Sequence, residues 1–342
     1  MRTDRNRAIA YWLLACCLVV FATLVVGGVT RLTRAGLSIV EWKPIHGVIP
    51  PLTDADWLEE FVKYQQSPEF LKVNQGMDIA GFKSIFWWEW AHRLLARLNG
   101  VVFFLPFLWF WLRGQISRPM IPKLLGFFVL GGLQGAMGWY MVKSGLVDNP
   151  RVSHYRLAAH LGLAFLIFGL MLWTALDQLG ERVTAPRASA LSRLQRCGTV
   201  LTGLVFLMVL SGALVAGTHA GALYPTFPLM GDHFMPDEVL ALEPAWINLF
   251  ENHSTIQFDH RLIAWTLFIL IPPFCGYTFS RAPWARGAAR AVLAMLVIQL
   301  GLGISTLLNG VPVPLAAAHQ AGAMVLFGLL INLNHSLRLR PA

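Results

Sequence analysis

Charge is what this sequence has least of. Asp, Glu, Lys and Arg make up 13% of its 342 residues, where a soluble chain carries about 25%. That shortage excludes an ordinary water-soluble globule. Cysteine is scarce as well: Cys16, Cys17, Cys197 and Cys275 are the whole supply. None falls in a long loop and no CxxC occurs, which excludes a disulfide framework and leaves the thiols as small apolar filler. A detachable secretory signal is missing. "MRTDRNR" starts like a basic leader, but the apolar run 8–28 is long enough to stay as a span. An Arg-rich, acidic-poor transit peptide is missing too, which favours a bacterial inner membrane over an organelle. Finally, residues 218–256 contain no Lys or Arg at all.

What is present is apolar. Hydrophobic residues make up 56% of the chain and the mean hydropathy is +0.57. Runs near the ~20 residues needed to cross a bilayer recur along it. They predict eight spans at 8–28, 85–112, 121–142, 155–176, 196–217, 257–279, 287–308 and 315–337. The net charge of +9 therefore speaks to topology, not to nucleic acid. Arg2, Arg5 and Arg7, then Arg113, Arg118 and Lys123, then Arg182, Arg187, Arg193 and Arg196 share one side with Arg281, Arg286, Arg290, Arg338 and Arg340. The opposite loop 218–256 holds Asp232, Asp237, Glu238, Glu243 and Glu251. The excess of Lys and Arg places both termini in the cytoplasm. The other long external loop, 29–84, has mixed charge. Its "TDADWLEEFVKYQQ" (53–66) predicts a capped surface helix.

The chain also repeats itself. "EWAHRLLA" (89–96) answers "QFDHRLIA" (257–264), "LQGAMG" (133–138) answers "IQLGLG" (298–303), and "LAAHLGLA" (157–164) answers "AAAHQAGA" (316–323). Four spans per repeat is an even number, so both halves insert the same way up. The expected fold is an all-α polytopic membrane protein of eight transmembrane helices, arranged as two four-helix bundles in a parallel internal repeat. The halves are 1–176, carrying loop 29–84, and 177–342, carrying loop 218–256. Gly131, Gly132, Gly135 and Gly138, with Gly301 and Gly303, are expected to let helices approach closely.

Of ten histidines, four sit at matched positions inside spans: His92, His160, His260 and His319. Each half takes its two from alternate helices, and facing helices of a bundle are where cofactor sites are built. Two neutral imidazoles suit the two axial positions of a haem. They would fill only half of a tetrahedral zinc site, with no Cys or carboxylate pair to complete both. The bland reading is four hydrogen-bonded packing residues. His46, His154, His219, His233, His253 and His335 read as interfacial or exposed.

Glu89 and His92 stand three apart on one helical face, and Arg93 follows Glu89 by four. Gln257 replaces the acid in the second half, while His260 and Arg261 remain. Arg93 and Arg261 can meet a carboxylate-bearing cofactor such as haem propionates, or simply reach for the interface. Glu89 beside one metal position and an amide beside the other suggests chemistry at one site and electron transfer at the other. An ion pair that stabilises the helix entrance is the plainer alternative.

In this order, these motifs resemble the haem A synthase family, in its alphaproteobacterial and mitochondrial branch. "GGVTRLTRAGLSIVEWKPIHGVIPP" (27–51) is similar to that family's first external loop. "EWAHR", "LAAHLGLA", "AGTHAGALYPTFPLM" (216–230), "FDHR" and "AAAHQAGA" are similar to its later motifs, and the likeness covers nearly the whole chain. The external-loop Cys pair of other bacterial members is missing here. The resemblance implies oxidation of the C8 methyl of haem O to the formyl of haem A, in two steps through a gem-diol, for terminal oxidases. It implies His92 and His160 on the substrate haem, His260 and His319 on a haem b cofactor, and Glu89 as the acidic residue near the substrate ring. The partners implied are haem O, the lipid bilayer, haem O synthase and an electron donor, with room for an oligomer and no nucleic acid. The rival readings are a bis-His cytochrome b-type electron-transfer protein and, from another class, a transporter.

Overall fold

The computed structural model describes residues 2–42, 46–145, 150, 152–180 and 189–338. Arg182, Arg187 and Arg340 of the orientation argument lie outside the described residues, as do the side chains of Arg2 and His46.

Eight helices of the described residues are long and apolar enough to cross a membrane. They are α1 (Arg2–Leu32), α4 (Ile79–Leu112), α5 (Ile121–Gly145), α6 (His154–Leu179), α7 (Ser189–Thr218), α9 (His253–Arg281), α10 (Arg286–Leu308) and α11 (Val313–Ser336). Shorter helices lie between them: α2 (Asp54–Gln65), α3 (Pro68–Lys72) and α8 (Asn248–Glu251). Each predicted span falls on one of the eight. The second begins six residues earlier than its hydropathy suggests, because Asp78 caps it by accepting the Gly81 N–H at 2.8 Å. Amphipathic residues then carry the helix out of the apolar layer.

Large apolar side chains point outward along the spans, among them Leu18 (67% exposed), Val200 (63%), Ile269 (65%) and Val297 (64%). A protein in water would hide such residues; in a bilayer they meet acyl chains. Pro272 and Pro273 sit inside α9 without ending it, as spans tolerate when nearby groups take over the freed carbonyls.

The chain forms two compact units, Leu18–His160 and Met1–Cys17 joined to Leu161–Ala342. The boundary runs through α1 and α6. In the first unit, Thr30 Oγ1 of α1 donates to the Trp88 carbonyl of α4 at 3.1 Å, and Asn99 Nδ2 of α4 donates to Thr23 Oγ1 at 2.7 Å. Helix α2 opens with the predicted cap: Thr53 accepts from the Asp56 N–H while Asp56 accepts from the Thr53 N–H. It is more than a surface helix. Its Trp57, Phe61 and Tyr64 bury against Phe82, Ile85 and Phe86 of α4, with Ala35 beneath. Burial pushes the Tyr64 hydroxyl up to about 12, and it accepts from Asn74 Nδ2 at 2.7 Å. In the second unit α7 packs on α9, α9 on α10, α10 on α11 and α11 back on α7, a closed ring of four helices. Phe165 of α6 packs against Phe327 of α11 in the same unit.

Candidate functional site

The entrance of α4 is bolted to the chain segment that leaves α1. Glu89 is 2% exposed. Its Oε2 accepts from Ser38 Oγ and from the Ile39 N–H, both at 2.7 Å, and its Oε1 accepts from Arg93 Nη2 at 2.6 Å. Arg93 donates further to main-chain oxygens, to Ile39 at 2.8 Å and to Glu41 at 3.0 Å. Its guanidinium also lies over the Trp42 ring, 5.3 Å from the centroid. The i,i+4 spacing on a helix is what lets Glu89 and Arg93 grip one short segment together.

The second unit grips its own segment at the entrance of α9. Gln257 is likewise buried, and its Oε1 accepts from the Tyr224 N–H at 3.2 Å while its Nε2 donates to the Tyr224 carbonyl at 3.1 Å. Arg261 donates to the carbonyls of Tyr224 (2.8 Å), Thr226 (2.9 Å) and Leu229 (3.1 Å). The pattern is the same in both units. The residue four before the arginine binds the N–H of one loop residue, and the arginine binds that loop residue's own carbonyl and the carbonyl two further on. Both arginines thus commit at least three of their five N–H donors to the protein.

The four span histidines fall in pairs, one pair to a unit. His92 and His160 are near enough for a charge on one to act on the other, and so are His260 and His319. His92 Nδ1 lies 3.2 Å from the Thr23 carbonyl. A carbonyl can only accept, so the proton sits on Nδ1 and the Nε2 lone pair is available to a metal. His260 reaches the same state by another partner: its Nδ1 is 2.8 Å from Ser211 Oγ, whose own proton goes to the Met208 carbonyl at 2.9 Å. The other two each meet a glutamine of their own. Gln134 Nε2 donates to the His160 carbonyl at 3.1 Å and lies 3.4 Å from the ring. Gln299 Nε2 donates to the His319 carbonyl at 2.9 Å and lies 3.2 Å from Nδ1. Both glutamine Oε1 atoms and His160 Nδ1 are buried with no hydrogen-bond partner.

Two imidazoles per unit, two of them with Nε2 already freed, fit the axial positions of a haem. The fit to zinc is poor, because among the described residues no three of His, Cys, Asp and Glu gather as a metal site. The cysteines take no part: Cys16, Cys17 and Cys275 are buried and Cys197 is exposed, none of them in a disulfide.

The other histidines scatter. His154 stacks on Tyr155 with centroids 4.2 Å apart, His219 turns the chain after α7 at φ 60°, and His233 exchanges main-chain bonds with Met230. His335 is not idle: its Nε2 lies 3.1 Å from Asp177 Oδ1. Thr23, Ser211, Gln134 and Gln299 were not singled out from the sequence. Only the glutamines left a signal there, as matched polar residues in the pair "LQGAMG" and "IQLGLG".

Residues 10–331 match the family described as cytochrome oxidase assembly protein. The heme A synthase of Nitrosospira multiformis is 56% identical over 345 residues, covering 98% of this chain and 96% of its own. That of Nitrosomonas eutropha is 53% identical, covering 95% and 92%. That of Parvibaculum lavamentivorans is 48% identical, covering 96% and 94%.

Proposed function

The chain belongs to this cytochrome oxidase assembly family, and we propose that it works as a haem A synthase, an oxidoreductase that turns the C8 methyl of haem O into the formyl of haem A. The observation that carries this reading is the pair of half-buried histidine pairs, one acid-flanked and one amide-flanked. His92 and His160 hold the substrate haem, and His260 and His319 hold a haem b cofactor. Bound at the second pair, that haem supplies one-electron chemistry that side chains alone do not offer. The functional halves in this reading are 1–176 for the substrate and 177–342 for the cofactor, related by a parallel repeat, whereas the compact units divide within α1 and α6. The matched grips at Glu89–Arg93 and Gln257–Arg261 support that relation.

Glu89 supplies the acid on the substrate side. Oxidising a methyl releases protons, and a buried carboxylate can take one or oppose the charge that builds at the carbon. Ser38, Ile39 and Arg93 hold it in place. Arg93 and Arg261 serve first as clamps on the external segments; the N–H groups they have left are the donors available to propionates.

The protein lies in a bacterial inner membrane with both termini in the cytoplasm, as the Lys and Arg bias supports. The bilayer, an electron donor and a haem O synthase are its expected company, and an oligomer is compatible with the sequence. Acid extraction of the purified protein followed by mass identification tests the reading. Haem b together with haem O or haem A is expected, with the latter two lost in His92→Ala or His160→Ala. Haem b alone, unaltered when haem O is supplied with a redox partner, would instead make the protein a bis-His electron carrier.

A further inference from the structure

Each of the four histidine rings lies against a glycine of the preceding span. A methyl group built on Gly27 of α1 would stand 2.5 Å from Cε1 of His92, and one on Gly303 of α10 would stand 2.8 Å from Cε1 of His319. On Gly212 of α7 it would be 3.2 Å from Cε1 of His260, and on Gly138 of α5, 3.3 Å from Cε1 of His160. Real carbon contacts almost never close below 3.0 Å, so alanine fits at neither Gly27 nor Gly303 unless the ring moves.

The other glycines of these spans behave differently. Gly131, Gly132 and Gly135 of α5 and Gly301 of α10 have nothing described within 4 Å of such a methyl. The expectation that all of them serve close helix approach is therefore corrected: only Gly138 and Gly303 of that set do, and what they approach is a histidine.

The spacing adds a second, independent link. Three of the four glycines stand one helical turn after the residue that meets the same histidine's polar atoms. Thr23 and Gly27 flank His92, Gln134 and Gly138 flank His160, and Gln299 and Gly303 flank His319. Residues four apart share a helix face. In the fourth, Ser211 and Gly212 are adjacent. One face of α1, α5 and α10 thus offers both a polar atom and bare backbone to the imidazole it meets, and α7 offers the two from neighbouring positions.

We propose that Gly27, Gly138, Gly212 and Gly303 are positioning residues that set the rotation of the four axial imidazoles. Rotation about the Cβ–Cγ bond of histidine has a broad, shallow preference, so the ring plane must be imposed by its surroundings. The polar contact pins a ring nitrogen and the glycine admits the adjoining Cε1 flush to the helix. The relative angle of the two ring planes on a haem follows from these contacts. This proposal rests on the assignment of the four histidines as haem ligands.

The test is a set of single variants of the full-length protein, purified in detergent. Haem is read by extraction and mass, ligand geometry by the electron paramagnetic resonance of the oxidised low-spin iron. Gly27→Ala should deplete haem O and haem A while sparing haem b. Gly303→Ala should deplete haem b and spare the other pair. The loss should be about 10–100-fold in affinity, the usual effect of disturbing a group that orients a metal ligand. Gly138→Ala and Gly212→Ala, where the ring needs to give only slightly, should keep haem but shift the resonance of their own unit. These milder variants decide the matter if the first two fail to fold. Gly132→Ala and Gly301→Ala should match the unaltered protein. The proposal is overturned if all four variants keep normal haem content and resonance, or if the controls lose haem equally. His92→Ala and His319→Ala separate the two failures. Haem retained in both would sink the ligand assignment itself, whereas haem lost there but untouched in the glycine variants would sink the positioning role alone.

Discussion

The two units hold their loop segments by the same main-chain grip, yet beside the arginine one grip contains a carboxylate and the other an amide. Glu89 gathers three donors from Ser38, Ile39 and Arg93, while Gln257 both accepts from and donates to Tyr224. An amide is sufficient to hold the segment, so the carboxylate in the first unit is surplus to that purpose. The chemistry proposed for that unit would use this surplus carboxylate.

The sharpest way to break this comparison is to equalise the two. Glu89→Gln should leave haem bound and the segment held but lower the rate of haem A formation by about 10²–10⁴-fold, the usual worth of a placed acid or base. Conversion at the normal rate, measured by haem extraction over time, would reduce the carboxylate to a clamp.

Removing the arginines should hurt unequally. Arg93→Ala strands a buried carboxylate and should cost about 3–5 kcal/mol. Arg261→Ala strands only neutral carbonyls and should cost about 1–3 kcal/mol. Thermal denaturation in detergent should therefore fall further for Arg93→Ala, and equal losses would mean that the Glu89 charge is compensated elsewhere.

The glutamines sharpen the comparison from the ligand side. With iron on Nε2 the His319 proton would sit on Nδ1, and the Gln299 amide would give up its bond to the His319 carbonyl to accept that proton with its unpartnered Oε1. Gln299→Leu should then raise the midpoint potential of the haem in its own unit, because a hydrogen-bonded imidazole favours the oxidised iron. An unchanged potential in a redox titration would deny Gln299 that role.

The smallest effect concerns the loop 29–84 alone. Burial raises the Glu69 carboxyl above its ordinary value, against the opposing pull of Arg34 and Arg31. A raised carboxyl stabilises the fold below the ordinary carboxylate range, and that contribution fades as pH climbs through the raised value. Glu69→Gln should flatten the pH dependence of loop proteolysis across that window; a slope equal to that of the unaltered protein would assign it to another group.

The spans were legible because apolar runs and basic connections are local signals, and the capping box at Thr53 is written in four consecutive residues. The four histidines were legible through the match of "EWAHR" with "FDHR" and of "LAAHLGLA" with "AAAHQAGA". The partners were not. Thr23 contributes a carbonyl that every residue has, and Gly27 contributes the absence of a side chain, so neither differs in the sequence from its many apolar and small neighbours. The arginine grips were hidden for a similar reason. Arg93 sits 52 residues from the carbonyl of Glu41, and no residue type in the loop marks it as the target.

That grip carries a consequence for how the chain can drift over generations. Arg93 and Arg261 recognise main-chain oxygens, so the side chains at Ile39, Glu41, Tyr224 and Thr226 can change without loosening the hold. Proline is the exception at two of them, since Ile39 and Tyr224 each donate an N–H that proline lacks. The loop surface at each grip is thereby left open to adapt to new neighbours, while the anchor beneath it stays where it is.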